Sequence, residues 1–187
     1  PLLKSAAAAG HAAVAAKSAP WSITVDHFFD GLENCRERFG LLVESDPQDV
    51  ALVPAVSYGI ALAARNLPVS RGRKILVLAD QFPSNVYSWM RLAREKGAVL
   101  ATVPKPDDGD WSKAVLERID INTAIAALPT CHWTDGNILD LVRIGRRCRE
   151  VGAALVVDGT QSLGAVPFSV RQVQPDFLVA TAHKWLL

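Results

Sequence analysis

From about Asp49 onward, short apolar runs rich in β-branched residues alternate with stretches whose apolar positions recur at helical spacing. No other feature limits the possible folds as strongly. A strand covered on both faces needs continuous hydrophobicity, whereas a strand with one wet face alternates apolar with polar. The spacing predicts strands near Val50–Val53, Lys74–Ala79, Ala98–Val103, Asn122–Leu128, Ala153–Val157 and Phe177–Ala180. Helices are predicted near Tyr58–Asn66, Asn85–Lys96, Trp111–Glu117 and Ile138–Glu150. Such alternation implies right-handed crossovers and a mostly parallel sheet with helices on both faces, an α/β fold. Gly72, Gly97 and Gly152 stand between helix and strand, where a left-handed residue is wanted. Upstream, Leu2–Lys17 and Val25–Leu42 read as two helices outside the sheet repeat, expected to pack on the core or a neighbour. Residues 1–48 are therefore expected to form an N-terminal helical segment and 49–187 the sheet domain.

The 187 residues suit a single domain, at roughly 100–200 residues per domain. Lys plus Arg number 20 against 19 Asp plus Glu, a balance of +1 that argues against a nucleic-acid partner. With 50% hydrophobic residues the chain can build a core. Cys35, Cys131 and Cys148 are odd in number and lack CxxC spacing, so neither a disulfide framework nor a zinc site is indicated. A reducing, cytoplasmic setting is expected. No apolar run approaches the ~18 residues that span a bilayer, so a soluble protein with no membrane partner is expected. The opening PLLKSAAAAGHAAVAAKSA superficially resembles a signal peptide, but His11 and Lys17 interrupt it and a helix is expected instead. Met90 is the only methionine, and the chain stops at His183-Lys184-Trp185-Leu186-Leu187 with no turn or polar tail. The expectation is a piece of a longer protein, cut inside an element.

In open parallel sheets ligands bind outside the carboxyl ends of the strands, which directs attention to five segments. Val56-Ser57-Tyr58-Gly59 opens a helix and offers either an anion site or an ordinary serine cap. In Asp80-Gln81-Phe82-Pro83-Ser84-Asn85, Pro83 stiffens the loop and Ser84 or Asn85 is placed to cap the next helix. Phe82 suits either the core or the face of a flat ring. Pro129–Gly136 is dense in polar and aromatic groups, but Cys131 and His132 are adjacent on an extended chain and point to opposite faces, which disfavours one shared metal ion. Asp158 ends a wholly apolar strand, where a carboxylate is costly without a cationic partner. Ser162 suggests a nucleophile elbow, yet Thr160 stands where that motif needs glycine. Lys184 follows the last strand and is either a surface lysine or an amine nucleophile activated by a pocket.

An acid ending one buried strand and His-Lys ending the next are the parts that pyridoxal phosphate requires: a lysine for its aldehyde, a carboxylate for its pyridine nitrogen, and donors for its phosphate. With VVDGTQSLGA, TAHKWLL, AVSYGI and DQFPSNVYSW, the chain resembles the class V aminotransferase family of fold-type I pyridoxal-phosphate enzymes from about Ser57 to the end. Relatives include cysteine desulfurases, kynureninases and isopenicillin N epimerase. The resemblance implies that Lys184 is the Schiff-base lysine, Asp158 the pyridinium partner and Gln161 a donor to the phenolic oxygen. It also implies that Ser57, Tyr58, Thr181 and His183 contact the phosphate and that Phe82 stacks on the ring. The CHWTDG segment aligns with a loop that commonly carries Asn or Ser beside the cofactor, where this chain offers His132 and Trp133.

By the same resemblance the substrate is an amino acid or related amine, the reaction is transamination, and the working enzyme is a homodimer. The alternatives are lyase, desulfurase or epimerase chemistry. The fold is then an incomplete large domain, with the C-terminal small domain and the substrate-carboxylate arginine outside this chain. Two rivals from other classes stand beside it. One is a serine hydrolase using Ser162, His183 and Asp176; the other is a non-catalytic remnant that only associates with other chains.

Overall fold

The computed structural model describes residues 2–186. At its centre lies a parallel sheet of β1 (Lys74–Leu78), β2 (Val99–Val103), β3 (Thr123–Pro129), β4 (Ala154–Asp158) and β5 (Phe177–Val179), in the spatial order β2-β1-β3-β4-β5. The helices are α1 (Lys4–Ala16), α2 (Asp30–Val43), α3 (Val56–Asn66), α4 (Tyr87–Lys96), α5 (Trp111–Leu116), α6 (Leu141–Val151) and α7 (Val170–Val173).

Successive strand residues point to opposite faces, and both faces are covered. Leu76, Leu78, Ala126, Leu128, Leu155 and Val157 join Trp111, Val115, Ile144, Cys148 and Val173 on one side, under α5, α6 and α7. Ile75, Val77, Ile125, Ala127, Val156 and Val179 join Ile60, Ala63, Trp89 and Leu92 on the other, under α3 and α4. This is the α/β architecture with helices on both faces that the alternation predicts. Asp110 and Asp140 cap α5 and α6 by accepting from the Lys113 and Arg143 N–H groups. Gly97 and Gly152 end α4 and α6 in the left-handed conformation.

Three local expectations fail. Val50–Val53 is not a strand: it follows a 3-10 turn over Pro47–Asp49 and runs irregularly to Pro54, with Leu52 exposed. It pairs with no strand of the sheet, and Pro54, which has no N–H to give a ladder, follows it directly. Neither Ser84 nor Asn85 caps α4; both lie in a 3-10 turn over Pro83–Asn85, and buried Asn85 instead accepts from the Trp89 indole N–H at 3.0 Å. Ile138 precedes α6 and bridges Cys131, because Asp140 starts the helix. Helix α1 lies close to where the spacing puts it, whereas α2 begins at Asp30 rather than Val25, after a separate 3-10 turn over Asp26–Phe28, and both contribute little to the core. Helix α1 buries no residue and α2 buries only Gly40 and Val43.

Candidate active site

Four chain segments converge at the carboxyl ends of β1, β4 and β5 and enclose a cavity of about 260 Å³. Its lining includes Ala55, Val56 and Ser57 from the start of α3, Phe82 and Ser84 from the loop after β1, Asp158 and Thr160, and Thr181, His183 and Lys184.

Helix α3 reaches the strand ends because Gly59 lets it lie against β5. A Cβ there would meet Val179 Cγ1 at 2.7 Å. Ala55, the extended residue before α3, provides no side-chain cap; the Tyr58 N–H is satisfied by the Ala55 carbonyl at 3.1 Å, which leaves the N–H groups of Val56 and Ser57, both in the cavity lining, without an acceptor in the helix. Ser57 lies within that first turn rather than before it, which removes the capping role.

Asp158 closes β4 between Pro129 of β3 and Val179 of β5. It is 5% exposed, and its Oδ1 accepts from the Thr160 N–H at 3.0 Å. Among the described residues no cationic side chain lies within salt-bridge distance of it. Burial pushes its carboxyl above the ordinary range, opposed by Thr160 and more weakly by the Lys184 charge. The Thr160 hydroxyl, itself buried, meets no hydrogen-bond partner. A carboxylate without a cation and a hydroxyl without a partner in one cavity suit a polar ligand that carries a positive charge.

Lys184 is half-buried and carries its ammonium 5.3 Å from the centroid of the Phe82 ring. Thr181 Oγ1 and His183 Nδ1 stand 2.6 Å apart. The Trp185 indole donates to the Gln161 carbonyl at 2.7 Å, tying the lysine loop to the aspartate loop. That approach needs Gly164, where φ is +98° and a Cβ would meet the Trp185 carbonyl at 2.6 Å.

Ser57, Phe82, Asp158, Thr181, His183 and Lys184 are thus brought together. Tyr58, Gln161 and His132 are not in the lining. Tyr58 is exposed and Gln161 meets the lysine loop through its backbone. His132 is 1% exposed, stacked on Trp111 at 4.7 Å and bonded to protein groups at both ring nitrogens. The residue type decided this: an imidazole with a neighbouring indole gains more from stacking in the core than a small amide at the same place would. Thr160 was missed, although a threonine two residues after a strand-end aspartate stands where a tight turn points its side chain toward the strand ends.

No hydrolase triad forms. Ser162 Oγ donates to Thr130 Oγ1 at 2.7 Å, His183 pairs with Thr181, and Asp176 accepts from the Leu155 N–H at 2.8 Å. Nor is a thiolate prepared: burial raises the Cys131 thiol and pushes that of Cys148 up to about 12. Among the described residues no helix is long and apolar enough to cross a membrane, and no cluster of His, Cys, Asp and Glu is placed to hold a metal.

Comparison with known proteins places the chain among relatives. The uncharacterized aminotransferase YcbU of Bacillus subtilis is 29% identical over 156 residues, which are 83% of this chain and 41% of that protein. A protein named "probable cysteine desulfurase" from Pyrococcus abyssi is 27% identical over 154 residues, covering 81% of this chain and 38% of its own length. The chain therefore spans about four-tenths of these relatives. Among solved structures, a variant of the lyase C-DES with glycine covalently linked to its PLP cofactor superposes with a TM-score of 0.81 at 21% identity, over 95% of this chain and 48% of that one, a likeness of fold. The model of the family described as Aminotransferase class-V, whose members use pyridoxal phosphate, matches residues 13–187, and the chain belongs to that family.

Proposed function

We propose that this chain is the cofactor-holding part of a pyridoxal-phosphate enzyme that transaminates an amino acid or related amine. The observation that carries the proposal is a lysine, a buried carboxylate without a cation and an uncapped helix N-terminus sharing one cavity. The residues fit the group. Its pyridine nitrogen answers the need of Asp158 for a cation, and its phosphate answers the free N–H groups of α3. When bound, the cofactor supplies an electron sink for charge that develops on the substrate carbon.

The chain's own side chains divide the remaining work. Asp158 accepts and holds a proton-bearing nitrogen at its carboxylate, and the Thr160 N–H keeps that carboxylate oriented. Ser57, Thr181 and His183 supply donors toward an anion at the start of α3. Phe82 covers one side of the cavity mouth. Lys184 must shed a proton at Nζ to act as a nucleophile, and afterwards Nζ serves as base and then acid, taking the proton of the substrate carbon and delivering it to a different atom. In this proposal residues 49–187 form the cofactor domain and 1–48 a separate helical segment. The substrate-binding arginine comes from outside the chain, and the working enzyme is a cytoplasmic homodimer.

The test is titration of the full-length protein with pyridoxal phosphate. A visible absorption band should appear with the wild type and be absent in Lys184→Ala. With amino acid added, transamination yields a keto acid, whereas desulfurase chemistry yields sulfide. A wild type that develops no band refutes the proposal.

A further inference from the structure

Cys131-His132-Trp133-Thr134-Asp135 follows β3 and forms a wall beside the loop that carries Phe82. Two of its side chains reach the backbone of that loop. His132 Nε2 lies 2.9 Å from the Ala79 carbonyl, and the Trp133 indole N–H donates to the Asp80 carbonyl at 2.6 Å. Both acceptors belong to the turn that leaves β1. In that turn Asp80 has φ +51°, a left-handed backbone that aspartate tolerates better than most residues with a Cβ and that the two bonds hold in place. Trp133 also presents its ring to Phe82 edge to face, with centroids 5.5 Å apart.

His132 is itself fixed from behind. Trp111 stacks on it at an interplanar angle of 13°, Thr134 Oγ1 lies 2.9 Å from its Nδ1, and the Trp111 indole donates to Asp135 Oδ2 at 3.2 Å. A carbonyl only accepts, so Nε2 carries a hydrogen and donates it to Ala79, while Nδ1 pairs with the Thr134 hydroxyl. The chain of contacts therefore runs from buried Trp111 through His132 and Trp133 to the backbone just before Phe82.

We infer that His132 and Trp133 are positioning residues: they lock the Asp80 turn and thereby hold the Phe82 ring over the cavity mouth. The inference rests on the proposed cofactor site only for what Phe82 covers; the brace is a property of this chain alone. It gives the CHWTDG segment a role other than touching the cofactor.

Trp133 is half-exposed, so Trp133→Phe keeps an aromatic edge, removes the N–H and leaves the core intact. The full-length protein, with 4-fluorophenylalanine incorporated in place of Phe82, should give one narrow fluorine resonance without cofactor. In Trp133→Phe that line should broaden or split as the ring samples other positions. Pyridoxal phosphate should bind roughly three- to tenfold more weakly to Trp133→Phe, the worth of one hydrogen bond. That loss should vanish in a Phe82→Ala background, because a positioning residue has nothing left to position. A single narrow line in the variant overturns the inference, as does a loss that persists in full without Phe82. A split line together with no cofactor binding by the wild type upholds the brace and refutes the proposed function instead.

Discussion

Helix α1 and strand β3 are built from much the same material, alanine and aliphatic residues, yet α1 buries none of its residues and β3 buries all seven. The difference lies in the neighbours. Strand β3 runs between β1 and β4 with helices above and below, whereas α1 finds no comparable surface. Burial is therefore conferred by the fold, and it sets the chemistry of the polar groups that stand at its edge. Asp158 and Thr160 stand where β4 emerges from that dry interior. One has its carboxyl raised by burial and the other is left without a partner. No ionisable group of α1 lies in such surroundings.

The largest effect expected from breaking this contrast is at Asp158. In the full-length enzyme Asp158→Asn should lower turnover by roughly 10²–10³-fold, comparable to removing a preorganised electrostatic contact. Stability should move the other way. Because burial raises the folded-state pKa, protonation of Asp158 favours folding, and that contribution is lost as pH rises through the folded-state value. The cofactor-free Asn variant carries no such penalty. Its thermal midpoint at neutral pH should equal or exceed that of the wild type, with the gap closing below the ordinary carboxylate range. A midpoint well below wild type at neutral pH would make Asp158 a structural residue.

Next comes packing under the sheet. A Cβ on Gly145 of α6 would collide with the Val173 carbonyl, so Gly145→Ala should cost about 1–3 kcal/mol, read as a lower urea midpoint. A smaller gain is expected at Thr160. Thr160→Val removes the orphaned hydroxyl with little change of shape and should stabilise the cofactor-free protein by about 1 kcal/mol. With pyridoxal phosphate bound the gain should shrink, if the hydroxyl finds its partner there.

The smallest effect belongs to α1. Gly10 has open space around its Cβ position, and Gly10→Ala should raise helix content by a preference of about 1 kcal/mol while leaving the main unfolding transition in place. A rise of the main transition by several degrees would show that α1 is coupled to the core.

The sequence made the sheet legible wherever a run was apolar on both faces, as at Ile75–Leu78 and Leu155–Val157, because continuous burial leaves a signal without a partner being known. Val50–Val53 carries the same local signal and forms no strand, since a strand also needs an edge, which a run of residues does not reveal. At the cavity, Asp158, Phe82 and Lys184 were legible as chemical types at strand ends. Thr160 was not, because its significance is the lack of a partner, a property of the assembled fold. His132 looked like a cofactor residue from its place in the motif, but its partners Trp111 and Ala79 are distant in sequence.

The most direct measurement is borohydride reduction of the full-length protein after incubation with pyridoxal phosphate, followed by peptide mapping. A reduced cofactor adduct on Lys184, lost when Lys184 is replaced by alanine, is the expected result. An adduct confined to other lysines, or none, would contradict the assignment of this cavity as the cofactor site.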